Sequence, residues 1–284
     1  MRSTKLRLGA WITLLAVWMV GSPAHGGAGR HDRPKERYVE FAKQFPAVGS
    51  VYGLGTGTLV APEWVVTCAH GIEIIDKIVR DKSRHTVRLA GKEYKIAGVV
   101  HHPDRKHLTM AMMAGKEEEA EDQNDHDILL LRLADPVTDV EPLGLYTGEG
   151  ESGLEAVFAG CGSWIPDGRV GVSLAKADAG KRGEPHAGTN RIDRINASGR
   201  LEMSFTAPDE GATDLEIGFS AGDSGGPMLI QDRGKWKVAG VASMSGDLDI
   251  SKGVGRYGDQ ILGTRVSKYA DWIRSTIRGN PAGK

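Results

Sequence analysis

The chain has 284 residues, 40% of them hydrophobic and 26% charged, with a formal net charge of −1. That length suits one large domain or two modest ones with a proper core. The near-neutral balance, without a basic stripe, gives no reason to expect a nucleic-acid partner, and two cysteines are too few for a disulfide scaffold or a cysteine-rich zinc site.

Residues 1–26 read as a secretory signal peptide. Arg2, Lys5 and Arg7 form a basic start, Leu8 to Val20 is apolar, and "GSPAHG" supplies small residues. The apolar run is too short for a comfortable membrane span, and no second run reaches that length. Ser22-Pro23-Ala24 and Ala24-His25-Gly26 each offer small residues ahead of a cut. Losing the leader removes three positive charges and moves the formal net charge from −1 to −4. The mature protein is expected to be soluble, exported, off the membrane and monomeric.

Residues 27–45, "GAGRHDRPKERYVEFAKQF", are charged and mixed and read as a tether. From Pro46 onward, short runs of Val, Ile, Leu and Thr alternate with glycine turns, which predicts an all-β fold in two groups of strands. The first group spans about 46–145 and the second about 150–265. Asn196 to Gly199 supply a hairpin turn, which gives the Asn196-Ala197-Ser198 sequon a structural reason. At the end, Val266, Tyr269, Ala270, Ile273 and Ile277 follow helical spacing, and Gly279 sits where a C-cap belongs, so a helix is predicted over 266–278.

Inside the first group lies an insert, His107 to His126, with an acidic run from Glu117 to Asp122. The spacing matches no dedicated metal loop, so a solvated loop is expected, with no metal and no cofactor. Cys68 and Cys161 are either bridged or two separate buried thiols. A bridge closing so long a loop would stabilise by about 4–5 kcal/mol if its geometry fits.

The hexapeptide "GDSGGP", Gly222 to Pro227, sets one hydroxyl and one acid among glycines. A serine nucleophile there needs a base and a group that orients the base. Of the 9 histidines, His70 ends the apolar strand "WVVTCAH" and is followed by Gly71, which lets the chain turn away and the imidazole face a cleft. Asp127 heads the strand "DILLLRL", whose burial carries the carboxylate inward, where it needs a strong donor. A histidine N–H meets that need and fixes the tautomer. Asp125, on a more polar stretch, is the weaker candidate.

"TCAH", "DILLLRL" and "GDSGGP", in that order, resemble the trypsin/chymotrypsin-like serine proteases, over about Val48 to Ile273. The resemblance implies a protease domain over 46–279, built as two six-stranded antiparallel barrels with a C-terminal helix. It implies a His70–Asp127–Ser224 triad acting on a peptide or protein substrate. It places the oxyanion hole at the backbone N–H groups of Gly222 and Ser224, and puts Ser243 beside Asp127, with the backbone of Ser243 to Ser245 pairing the substrate.

Three departures follow from the same resemblance. The cysteine usual after the histidine is Gly71, and Ser220 stands where many members carry a half-cystine. The pocket floor is Gly218 rather than an aspartate, and Ile261 or a neighbour stands on the pocket wall, which implies a small or apolar residue on the acyl side of the cut. The partner of Asp223 is open: the family uses a newly cut N-terminal amine, usually of isoleucine, and no isoleucine occurs from Gly21 to Gly71. Signal cleavage exposing another N-terminus, a basic side chain, or an unactivated protein all satisfy the sequence. The competing readings are an inactive protease-fold binding module with a collapsed oxyanion loop, and an esterase using the same triad.

Overall fold

In the computed structural model of this chain, the described residues are 27–78, 81–106, 126–170, 183–245 and 254–279. The signal segment and the acidic run Glu117 to Asp122 lie outside them.

The segment expected to be a tether is instead built into the fold. Strand β1 (Ala28–Gly29) pairs antiparallel with residues 217–218, and helix α1 spans Lys35–Ala42. Helix α1 is polar on most of its surface, but Tyr38 is fully buried, its ring tilted against that of Trp164 with centroids 5.0 Å apart. Its hydroxyl accepts from Arg30 N at 2.9 Å and donates to Glu216 O at 3.0 Å. One aromatic anchor holds the helix where sequence shows mostly charge.

Six strands close a barrel: β2 (Val48–Val51), β3 (Gly55–Ala61), β4 (Trp64–Thr67), β5 (Thr86–Leu89), β6 (Lys92–His101) and β7 (Leu129–Leu133), in the order β2-β3-β4-β7-β6-β5. Helix α2 (Ala69–Ile78) follows β4. The run from Ile128 to Leu133 shows why this barrel forms. Leu129, Leu131 and Leu133 point into the barrel core with Val65 and Leu59, whereas Ile128 and Leu130 point outward with Val66 and Cys68 to meet Val157, Leu229 and Val241 of the second half. Both faces are covered, so the strand is a near-continuous apolar run with period-2 division of labour.

The second half comprises β8 (Gly144–Leu145), β9 (Glu155–Gly160), β10 (His186–Arg191), β11 (Arg194–Ile195), β12 (Leu201–Ser204), β13 (Ile217–Gly218), β14 (Pro227–Asp232), β15 (Lys235–Ser245) and β16 (Gln260–Arg265). Its main sheet has eight strands along β10-β9-β14-β15-β16-β12-β11, with β8 parallel to β15. This half forms a half-barrel beside the closed first barrel, in keeping with the all-β two-barrel architecture expected. The outer edge of β10 is covered by residues 215–217, with Thr189 N donating to Leu215 O at 2.8 Å and Asn190 Nδ2 to Ile217 O at 3.0 Å. The hairpin turn forms as expected, with Gly199 N donating to Asn196 O at 2.8 Å. At the C-terminus, a 3-10 turn over Val266–Tyr269 leads into helix α3 (Ala270–Gly279), and Val266, Tyr269 and Ile273 bury against the cluster between the two halves.

Candidate active site

Register brings the first two candidate residues together. Strands β4 and β7 pair antiparallel, with Thr67 opposite Leu129, so the residues just after β4 and just before β7 meet at one end of the barrel. There, His70 N donates to Asp127 Oδ1 at 2.8 Å, and His70 Nδ1 lies 2.7 Å from Asp127 Oδ2. Asp127 is fully buried, while the His70 side chain keeps 18% of its surface exposed. A deprotonated carboxylate only accepts, so Nδ1 carries the proton and Nε2 is left as the base. Nε2 faces Ser224 Oγ at 3.2 Å.

Burial pushes the Asp127 carboxyl up, but the His70 and Arg105 charges and the bonds from His70 and Ser243 outweigh it, and it lies well below the ordinary carboxylate range. For His70, burial acts downward and the Asp127 charge upward, with a smaller upward push from Cys68. The upward push prevails, and His70 titrates well above its ordinary 6.5. Ser243 Oγ donates to Asp127 Oδ2 and accepts from Arg200 Nη1 at 2.9 Å, and Thr264 Oγ1 donates to the Asp127 carbonyl at 3.0 Å. The carboxylate thus accepts from His70 N at Oδ1 and from His70 Nδ1 and Ser243 Oγ at Oδ2.

Ser224 sits in a turn pinned from three sides. Thr56 N donates to Ser224 O at 2.9 Å, Thr56 Oγ1 to Gly222 O at 2.9 Å, and Gly225 N to Ala242 O at 2.8 Å. Gly225 has φ +87°, and a Cβ there would meet Thr56 O and Thr67 Oγ1, both at 2.1 Å. Only glycine allows the turn to press this closely on the first barrel. Among the described residues, no acceptor takes the N–H of Gly222 or Ser224.

The trypsin family model matches residues 39–273. The chain belongs to the trypsin family of serine-type endopeptidases. It is 29% identical over 239 residues to snake venom serine proteinase 14 of Crotalus adamanteus, covering 80% of this chain and 79% of that protein. It is 27% identical to vitamin K-dependent protein C of Oryctolagus cuniculus, covering 89% of this chain and 51% of that protein. Among solved structures it is similar to neuropsin, a serine protease expressed in the limbic system of mouse brain, at 20% identity and TM-score 0.55, covering 87% of this chain and 98% of that one.

In this trypsin-family chain, Asp223 is fully buried beside Ser224. Its Oδ2 accepts from Ser220 N at 2.8 Å, Ser220 Oγ at 3.0 Å and Gly27 N at 3.0 Å, and its Oδ1 accepts from Gly162 N at 3.0 Å. Burial outweighs these donors and pushes the carboxyl up to about 6. Gly27 has φ +81°, and a Cβ there would meet Ile217 Cδ1 at 2.6 Å.

Of the pocket residues, Gly218 lies in β13 with the Phe205 ring against it, 2.7 Å from where a Cβ would stand. Phe205 is fully buried and packs in a tilted arrangement on Tyr257, with centroids 4.7 Å apart. Ile261 is also fully buried, opposite Met203 in β12 and Ser245 in β15, so it packs in the core beside the site. Nothing in the sequence marked Phe205, Thr56, Arg200 or Arg105, because their role depends on strands and turns distant in the chain.

The two cysteines are free and buried, which overturns the bridge. Cys68 lies in the cluster between the two halves, its Sγ 4.0 Å from His70 Nε2. Cys161 follows β9 beside Thr56 and Asp223, where burial and the Asp223 charge push its thiol up. Each occupies its own packing site. One group of potential metal ligands gathers among the described residues: His102, Asp104 and His126, within 4.8 Å of one another. The two imidazoles stack at 4.4 Å and 3°, so their in-plane lone pairs run parallel instead of converging on one ion.

Proposed function

We propose that the chain is an exported endopeptidase in which Ser224 attacks the substrate carbonyl, His70 takes and returns the proton, and Asp127 orients His70. The observation that carries this reading is the unbroken line from buried Asp127 Oδ2 through His70 (2.7 Å at Nδ1, 3.2 Å at Nε2) to Ser224 Oγ. Loss of the Ser224 proton to Nε2 frees the oxygen to bond the carbonyl carbon. The Gly222 and Ser224 N–H groups then take the oxyanion, the protonated His70 releases the amine, and water repeats the sequence to free the acid.

The pocket favours a small or apolar residue on the acyl side, since Gly218 brings no charge and Phe205 fills the space beside it. The backbone of Ser243 to Ser245 pairs the extended substrate as an added strand. The leader directs export, no helix among the described residues is long and apolar enough to cross a membrane, and the mature chain acts as a monomer without nucleic acid. Cleavage at Gly26–Gly27 supplies the amine that Asp223 needs.

The test is fluorophosphonate labelling of the purified mature protein and of Ser224→Ala. Labelling lost in the variant supports the enzyme. Failure of both to label sinks the reading and leaves the binding module.

A further inference from the structure

A second buried ion pair stands against the dyad. Arg105 follows β6 in a turn closed by Arg105 N donating to His102 O at 3.0 Å, and its side chain is fully buried. It grips Glu73 in a fork, Nε to Oε1 at 3.1 Å and Nη2 to Oε2 at 3.0 Å. Glu73 lies on α2, about one helical turn after His70. The same Nη2 lies 3.9 Å from Asp127 Oδ1. One guanidinium therefore reaches both elements that carry the dyad.

Stability alone is a weak reason for such a pair, because apolar residues of similar volume usually serve as well. Charge next to a buried carboxylate, by contrast, acts on it with little screening. Asp127 faces His70 on one side and Arg105 on another, with Arg200 behind Ser243. Glu73 faces Arg105 and, at 3.8 Å, His101 Nδ1. His70 itself faces Asp127, Ser224 and Cys68.

We propose that Arg105 and Glu73 are positioning residues that set the basicity of His70. Arg105 holds Asp127 against the start of α2 and opposes its charge, and Glu73 sets how much of that opposing charge Asp127 feels. This rests on the reading of Ser224 as the nucleophile activated by His70. Removing Arg105 lets Asp127 stabilise the imidazolium more, so His70 holds its proton to higher pH. Removing Glu73 leaves more of the Arg105 charge acting on Asp127 and does the reverse. Since Arg105 is the nearer to Asp127, removing both acts in the direction of Arg105.

The experiment follows the rate of fluorophosphonate labelling of the mature protein against pH, together with the His70 ring resonances by NMR. Arg105→Gln is expected to move the acid limb up by about half a pH unit or more, and Glu73→Gln to move it down by a similar amount. The double variant Glu73→Gln/Arg105→Gln, which removes both members of the forked pair, is expected between wild type and Arg105→Gln. Arg105→Lys keeps the wild-type limb but labels more slowly, because the ammonium lacks the fork. The opposed shifts persist in a His101→Gln background. Single variants that move the same way or not at all, or a double variant with the wild-type limb where the singles fail to fold, would overturn the inference, as would loss of the split without His101. A wild type that does not label defeats the nucleophile reading itself, and this inference with it.

Discussion

Gly27 N and Asp223 Oδ2 are 3.0 Å apart, although 196 positions separate them in the chain. A buried carboxylate served only by neutral N–H and O–H donors keeps its proton to about pH 6, above its ordinary 3.8. The folded form then binds a proton that the unfolded form has lost, so stability falls as pH rises from about 4 to 6, by up to about 3 kcal/mol. A free amine at Gly27 reverses the sign, because the ion pair holds Asp223 ionised. A protein beginning at Gly27 is expected to gain thermal stability between pH 4 and 7 relative to one beginning at His25, and to label with fluorophosphonate at least tenfold faster. Equal melting curves and equal labelling for the two forms would dismiss the pairing.

The dyad makes its own pH prediction. His70 titrates above 6.5 in the fold, so its contribution to stability is complete below 6.5 and lost as pH rises through the higher folded value. Asp127 titrates below 3.8, so its contribution is present above 3.8 and lost as pH falls. The dyad therefore stabilises most between these values, while catalysis needs neutral His70 and is greatest above them. Peptidase rate and melting temperature, measured on one pH series, should peak apart, and Asp127→Asn should flatten this part of the stability curve. That variant is also expected to lower kcat by about 10⁴, the magnitude found for the same change in another serine protease. A coincident peak, or an asparagine variant at wild-type rate, would refute the assignment.

Much of the candidate arrangement was legible because the strands beside His70 and Asp127 are buried on two faces. The run Ile128 to Leu133 can only be an interior strand, so Asp127 at its head had to be carried inward. The nucleophile turn was legible because glycines at close approaches leave a local signature. What escaped was non-local. Arg105 in "HPDRKH" looks like any surface arginine until Glu73 and Asp127 are seen beside it. The covering of the β10 edge by residues 215–217 joins stretches some 25 positions apart. Pairing of Cys68 with Cys161 depends on geometry that spacing does not contain.

Helix α1 was hidden for a different reason: it buries Tyr38 and Ala42 within an otherwise polar sequence. The Tyr38 hydroxyl satisfies a buried N–H of Arg30 and a buried C=O of Glu216. Tyr38→Phe keeps the ring and strands both groups, and is expected to destabilise by about 1–3 kcal/mol in urea unfolding. An unchanged midpoint would restore the tether.

With both thiols free, reductant has nothing to cleave. The melting temperature is expected to be the same with and without a millimolar dithiol, and free-thiol titration of the denatured chain should count two. A drop on reduction would mean that a bridge exists.

The pocket gives the last prediction. Gly218 cannot take a Cβ without moving Phe205, whose ring stands 2.7 Å from that position and is itself fully buried. On the proposed pocket assignment, Phe205 is expected to keep a large acyl-side residue out, with no carboxylate at position 218 to reward a basic one. Phe205→Leu removes ring volume while keeping the site apolar, and is expected to cost about 1–2 kcal/mol of stability. It should raise kcat/KM for leucyl or phenylalanyl peptides relative to alanyl ones by about tenfold, the scale of one or two methylenes of newly usable space. Arginyl peptides should stay poor in both proteins. A wild type that prefers arginine, or a leucine variant with unchanged selectivity, would place the pocket elsewhere.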